Sequence, residues 1–204
     1  MLIRKPAATR KVEIVEAALR LADEVGPDRL TTEAIAGAVG LTQPAIFRHF
    51  PTKQDLWTAV GARIGALMGE RWAGISATDG GAVERIRALV QAQLRLIQST
   101  PAIPAILFSR ELHVENEELR RAFRALMSRF HRLIESLVAE ACDTGELCPD
   151  LDPEDVAFLV IGLLQGLAVR WSISGRSFDL CQEGLRLLEL QMRGLTPEKA
   201  WRSS

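Results

Sequence analysis

The chain lacks several features that would have narrowed its function at once. Its longest uncharged apolar run, Val156 to Val169, lies between Asp155 and Arg170 and contains Gln165. That falls short of the ~20 residues of a membrane span, so a buried helix of a soluble protein is expected there. Cysteine is scarce and odd in number (Cys142, Cys148, Cys181), and no secretory signal opens the sequence. Reduced thiols in a cytoplasm are therefore expected. Cys142-x5-Cys148 has no second pair to complete a metal set. Neither a nucleophile elbow nor a phosphate-cradling glycine loop occurs, so no metal, cofactor or enzymatic activity is expected. Repeats and low-complexity segments are missing too. Acids are absent from residues 1–11, which hold Arg4, Lys5, Arg10 and Lys11, and again from Ala34 to Gln54. The net charge of the whole is only -1, so any polyanion contact must be local.

What is present is helical. Apolar residues are 48% of the chain and charged residues 25%, which is enough for a folded core. Val12, Val15, Leu19 and Ala22 recur at helical spacing before Gly26-Pro27. Thr31 or Thr32 caps a second helix ending near Gly40, and Thr42 a third reaching about Phe50. Thr52 and Asp55 form a capping box that opens a long helix carrying Trp57, Gly61, Ile64, Met68 and Trp72. Residues 76–82 are a loop. Val83, Ile86, Val90 and Ile97 mark another helix, which "TPAIP" (100–104) interrupts. Leu119 to Leu137 follow a 4,3 spacing, and the loop containing Gly145 precedes a helix started by Asp152-Pro153-Glu154-Asp155. A last helix runs from about Asp179 to Arg193. The expected fold is all-α: residues 1–52 as a small three-helix module, with a basic tail over 1–9, and residues 53–204 as a larger helical bundle.

Two short helices about Val39-Gly40-Leu41 make a helix-turn-helix. Ala34, Ile35, Ala38, Val39, Ile46 and Phe50 are expected to lock them together. Thr42, Gln43, Pro44, Ala45, Phe47, Arg48 and His49 are then expected to face outward. Glutamine can pair with adenine, and a small methyl can meet a thymine methyl, so this acid-free helix suits a major groove. Pro44 falls in the first turn, where no donor is lost. Lys53 and the amides at Thr52 suit a phosphate.

The segments "TRKVEIVEAA" and "LTTEAIAGAVGLTQPAIFRHFPTKQDL" resemble the amino-terminal domain of the TetR family of bacterial transcriptional regulators. The likeness covers about residues 9–60. It implies DNA-facing roles for Thr32, Thr42, Gln43, Pro44, Ala45, Phe47, His49 and Lys53. The family usually has tyrosine where Phe47 stands, and Phe47 can pack but cannot give a hydroxyl to a phosphate. Taken singly, His49 also fits a helix-end histidine, Phe47 a surface pad, and Lys53 an ordinary surface lysine.

In the bundle, Val156, Leu159, Val160, Leu163, Leu164 and Leu167, with Gly162 and Gly166, make one of the last two helices apolar over a wide arc. Leu185, Leu187, Leu188, Leu190 and Met192 do the same for the other. A homodimer through residues 153–194 would bury both, as would packing inside one subunit. Trp72, Gln93, Phe108, Phe130, Gln165 and Trp171 are candidates for a pocket binding a small hydrophobic effector, or plain core. The expected function is a homodimeric, ligand-responsive repressor of a palindromic duplex operator, with no membrane partner. The alternatives are the same fold controlled by a protein partner, and a helical enzyme or adaptor in which residues 31–53 only imitate the motif.

Overall fold

The computed structural model describes residues 6–76 and 80–197; all regular elements among them are α-helices. In order they are α1 (Ala7–Val25), α2 (Thr32–Ala38), α3 (Gln43–His49), α4 (Lys53–Ser76), α5 (Ala82–Ser99), α6 (Ala102–Leu107), α7 (Arg110–Glu115), α8 (Glu117–Asp143), α9 (Pro153–Ile173) and α10 (Leu180–Arg193). Arg4 and Lys5 of the basic tail, and residues 77–79 of the expected loop, lie outside the described residues. The chain forms two compact units: Met1–Ala66 with Thr100–Arg124, and Leu67–Ser99 with Ala125–Ser204. Compactness thus groups residues from both sides of 52/53. The first half of α4 and the segment holding α6 and α7 group with the amino-terminal helices.

In the first unit, α1 buries Ile14, Val15, Ala18, Leu19 and Ala22, and α6 packs on α1 through a segment with Ala102, Ile103 and Ile106 buried. The "TPAIP" stretch does more than interrupt: it ends α5 and also starts α6. Pro101 is the N-cap of α6 and Pro104 sits in its first turn, where a missing N–H costs nothing. Polar residues close the next turns. Ser109 Oγ accepts from Leu112 N at 3.1 Å and donates to Asp28 Oδ1 at 2.6 Å. Buried Asn116 caps α8 by accepting from Leu119 N at 3.0 Å, while its amide donates to Gln54 O at 2.9 Å. One side chain thus satisfies an orphan N–H of α8 and ties the first turn of α4 to it.

In the second unit, α10 packs on α5 and α9. Gly184 permits the close approach to α5, because a Cβ there would lie 2.4 Å from Leu94 Cδ1. Glu146, from the α8–α9 connection, caps α5 by accepting from Ala82 N at 2.8 Å and Val83 N at 3.2 Å. Asp152 caps α9 through Glu154 N at 2.9 Å, with Pro153 as its first residue.

α9 corrects two expectations. It takes in the charged residues flanking the apolar run and reaches 21 residues, long and apolar enough by length and composition to cross a membrane. Nor is it buried within the chain: 39% of its apolar window is covered. Val156, Val160, Leu164 and Leu167 face inward, whereas Phe158, Leu159, Val169 and Ile173 are exposed.

Valine in place of Gly184 must displace the buried Leu94 side chain in the α5–α10 contact. Gly184→Val is expected to lower stability by about 1–3 kcal/mol in urea denaturation. An unchanged midpoint would show that Leu94 can give way.

Candidate nucleic-acid interface

Thr31, not Thr32, caps α2: its Oγ1 accepts from Ala34 N at 3.1 Å. The α2–α3 turn is a Schellman motif. Leu41 N donates to Ala36 O at 2.9 Å, Gly40 N donates to Gly37 O at 3.2 Å, and Gly40 takes φ 66°. An L side chain at Gly40 would be strained by about 1 kcal/mol or more, so the glycine sets the angle at which α3 leaves the turn.

α3 begins after Thr42, whose extended backbone makes it the N-cap although its hydroxyl forms no capping bond. Pro44 lies in the first turn. Gln43, Pro44, Phe47 and Arg48 are exposed, as is Thr42, and His49 is half-buried. Ile46 and Phe50 are buried, and α3 packs on α1 and α2.

Three expectations change here. Ala45 is buried, because it adjoins Ile46 on the arc turned into the module, so its methyl is not presented to a groove. Thr32 is also buried, at 7% exposure, and accepts a hydrogen bond from Gln43 Nε2 at 2.8 Å. The lock between the helices is Ile35, Ala36, Ile46 and Phe50; Ala34 and Ala38 are exposed and Val39 is half-buried. Residues two apart on a helix, such as Ala34 and Ala36, lie on roughly opposite faces, which spacing read over only seven residues does not resolve.

At the far end, Thr52 and Asp55 form the expected capping box. Thr52 N donates to Asp55 Oδ2 at 2.9 Å, and Asp55 N to Thr52 Oγ1 at 3.0 Å. Lys53 is the first residue of α4 and half-buried. Lys11, one of the basic residues of the acid-free stretch 1–11, lies in α1. Its Nζ stands 5.4 Å from the centre of the Phe50 ring, which brings a cation beside the end of α3, while Arg10 pairs with Glu13 at 2.8 Å.

The candidate effector residues do not form one pocket. Trp72, Gln93 and Phe130 come together but are buried against each other. Trp72 Nε1 donates to Gln93 Oε1 at 3.3 Å, and the Trp72 and Phe130 rings stack at 4.8 Å. Trp171 donates to Phe178 O at 3.0 Å, and Phe108 is an exposed residue of the first unit. Gln165 lines a groove of about 580 Å³ with Met127, His131, Phe158 and Ile161. Among the described residues no group of three His, Cys, Asp or Glu side chains could hold a metal. Burial, Asp143, Cys148 and Asp150 push the Cys142 thiol up from its ordinary range, which disfavours the thiolate a redox sensor needs.

Residues 14–60 match the sequence model described as "Bacterial regulatory proteins, tetR family", and residues 82–188 match "BetI-type transcriptional repressor, C-terminal". The chain belongs to the TetR family. It is a DNA-binding regulator of that family, and the helix-turn-helix above is the family's DNA-binding element. The nucleoid occlusion factor SlmA of Vibrio atlanticus is 27% identical over 161 residues, 78% of this chain and 82% of that one. Among solved structures, a TetR transcription regulator from Haloarcula marismortui matches with a TM-score of 0.80 at 20% identity, covering 93% of this chain and 100% of the other. A transcriptional regulator from Saccharomonospora viridis in complex with choline matches at 0.79 and 22% identity, covering 89% and 94%.

Exposed Gln43, at the start of α3, and half-buried Lys53, at the start of α4, should act differently. Gln43→Ala is expected to relax sequence preference. Lys53→Ala should weaken operator and random duplex alike and reduce the slope of log K against log salt by about 1. Fluorescence anisotropy at several salt concentrations reads both; equal effects of the two substitutions would contradict the division.

Proposed function

We propose that this TetR-family chain is a homodimeric repressor that lays two α3 helices in successive major grooves of a palindromic operator. The observation that carries the proposal is the outward face of α3. Thr42, Gln43, Pro44, Phe47 and Arg48 are exposed on a short helix with no acid between Ala34 and Gln54. That face combines base-reading and phosphate-binding chemistry, with Lys53 and Lys11 adding positive charge at its far end.

Reading two half-sites ~34–36 Å apart requires a second copy. The exposed side of α9 supports one. Phe158 is 58% exposed, Leu159 55% and Ile173 82%, and Leu190 of α10 is 63% exposed. Gly162 and Gly166 have nothing within 4 Å of an added Cβ, so the backbone of a partner helix can approach closely. This apolar stripe is what a two-fold helical interface would cover, and burial inside one subunit leaves it uncovered.

In this reading a small hydrophobic effector binds the second unit and favours a spacing of the α3 helices that no longer fits the operator. α4 supplies a covalent route, since it starts at the Thr52 cap just after α3 and continues into the second unit. One observation favours control by a protein partner instead: Trp72, Gln93 and Phe130 pack on each other rather than around a space. Thermal shift separates the two. An effector bound at 100 times its dissociation constant stabilises by about 2.7 kcal/mol. Choline, held by the Saccharomonospora neighbour, is one ligand to include beside apolar candidates.

Leu159→Glu places a charge in the α9 stripe without touching the buried core. Sedimentation is expected to change from two protomers to one, with operator binding lost and the far-UV circular dichroism unchanged. A wild-type protein that sediments as a monomer, or that ignores duplex DNA in dilute buffer, would overturn the proposal.

A further inference from the structure

The adjacent threonines at the start of α2 have separate tasks. Thr31 caps the helix through Ala34 N at 3.1 Å, so Thr32 is free of that role. Thr32 lies 7% exposed beneath the surface and its Oγ1 accepts from Nε2 of Gln43, eleven residues on, at 2.8 Å. Gln43 itself is exposed at the first position of α3. An exposed glutamine ordinarily samples several rotamers and both orientations of its amide. A buried hydroxyl on a different helix selects the rotamer before any ligand arrives, and in the arrangement seen here it takes Nε2 as its donor.

The tether also determines what the amide has left to offer. Of two N–H groups and one carbonyl, one N–H is engaged by Thr32, leaving one donor and one acceptor. Adenine presents an N7 acceptor and an N6 donor in the major groove, which matches that pair. Guanine presents two acceptors, N7 and O6, and would need two donors; the Oε1 of the tethered amide would face one of them. We infer that Thr32 is a positioning residue, which acts through Gln43 to make it read adenine in preference to guanine. This rests on the assignment of Gln43 to the base-reading face proposed above. It replaces direct DNA contact by Thr32 with control of the contact by its neighbour.

The test uses the full-length protein and a pool of randomised duplexes, followed by anisotropy on the preferred duplex and its single-base-pair variants. Wild type is expected to favour adenine over guanine about 5-fold or more at one position per half-site, as for one good bidentate pair. Replacing that adenine by 7-deazaadenine should remove most of the preference with no change to the protein. Thr32→Val, which keeps the shape but removes the acceptor, should reduce discrimination towards the Gln43→Ala level. Its affinity for random duplex and its salt slope should stay at the wild-type value. Thr32→Ser keeps the acceptor and should retain the preference, which guards against a Thr32→Val variant that fails to fold. A preference for guanine, or a Thr32→Val protein that weakens on all sequences alike, would overturn the inference. If Gln43→Ala abolishes the preference and Thr32→Val leaves it intact, the tether alone is wrong. If Gln43→Ala changes nothing at any position, the base-reading role of α3 falls first and takes the tether with it.

Discussion

Seven residues of α-helix do not hold together in water, because one or two turns of hydrogen bonds cannot offset the cost of nucleating them. α3 exists only because its neighbours fix it from both ends and from below. The Schellman turn with Gly40 in the left-handed region fixes where it starts. Ile46 and Phe50 anchor its inner side among the buried residues of α1 and α2. The Thr52–Asp55 capping box begins the next helix three residues after it ends. With those constraints met, the outer face is free to carry side chains chosen for a ligand rather than for stability. That is the condition for a groove-reading helix, and the rest of the amino-terminal unit serves it.

The same logic of one face committed and one face free recurs in α9 at a larger scale. Its inner residues complete the core against α5 and α10, while Phe158, Leu159 and Ile173 remain in solvent. Isolated exposed apolar residues are ordinary on protein surfaces. A stripe of them beside two glycines with open space above is different, since it leaves a helix backbone accessible along with its side chains. In the second unit acidic side chains close turns, as Glu146 does for α5 and Asp152 for α9. In the cluster of Trp72, Gln93 and Phe130 the indole donor likewise finds the amide oxygen.

Much of this was legible in the residues alone. Helix starts marked by Asp152-Pro153 and Thr52-x-x-Asp55 stand where expected, because a cap is a local hydrogen bond between neighbours in sequence. The helix-turn-helix and its family were legible for the same reason: turn, glycine and following helix are one continuous stretch. Short-range signals were weaker where two residues competed for one role. Thr31 and Thr32 are both possible caps, and Ala34 and Ala36, or Ala45 and Pro44, are nearly equivalent on a seven-residue helix.

The sequence by itself determined the all-helical class, the reading module and the acid-free character of its outer face, since these depend on periodicity and on contacts within a few residues. Only the tertiary structure decided that Thr32 lies buried under Gln43, that Lys11 stands over Phe50, and that the six effector candidates are not one pocket. It also decided which side of α9 is left uncovered. Those facts depend on how helices distant in sequence pack, and an apolar side chain carries the same signal whether it fills a core or waits for a partner.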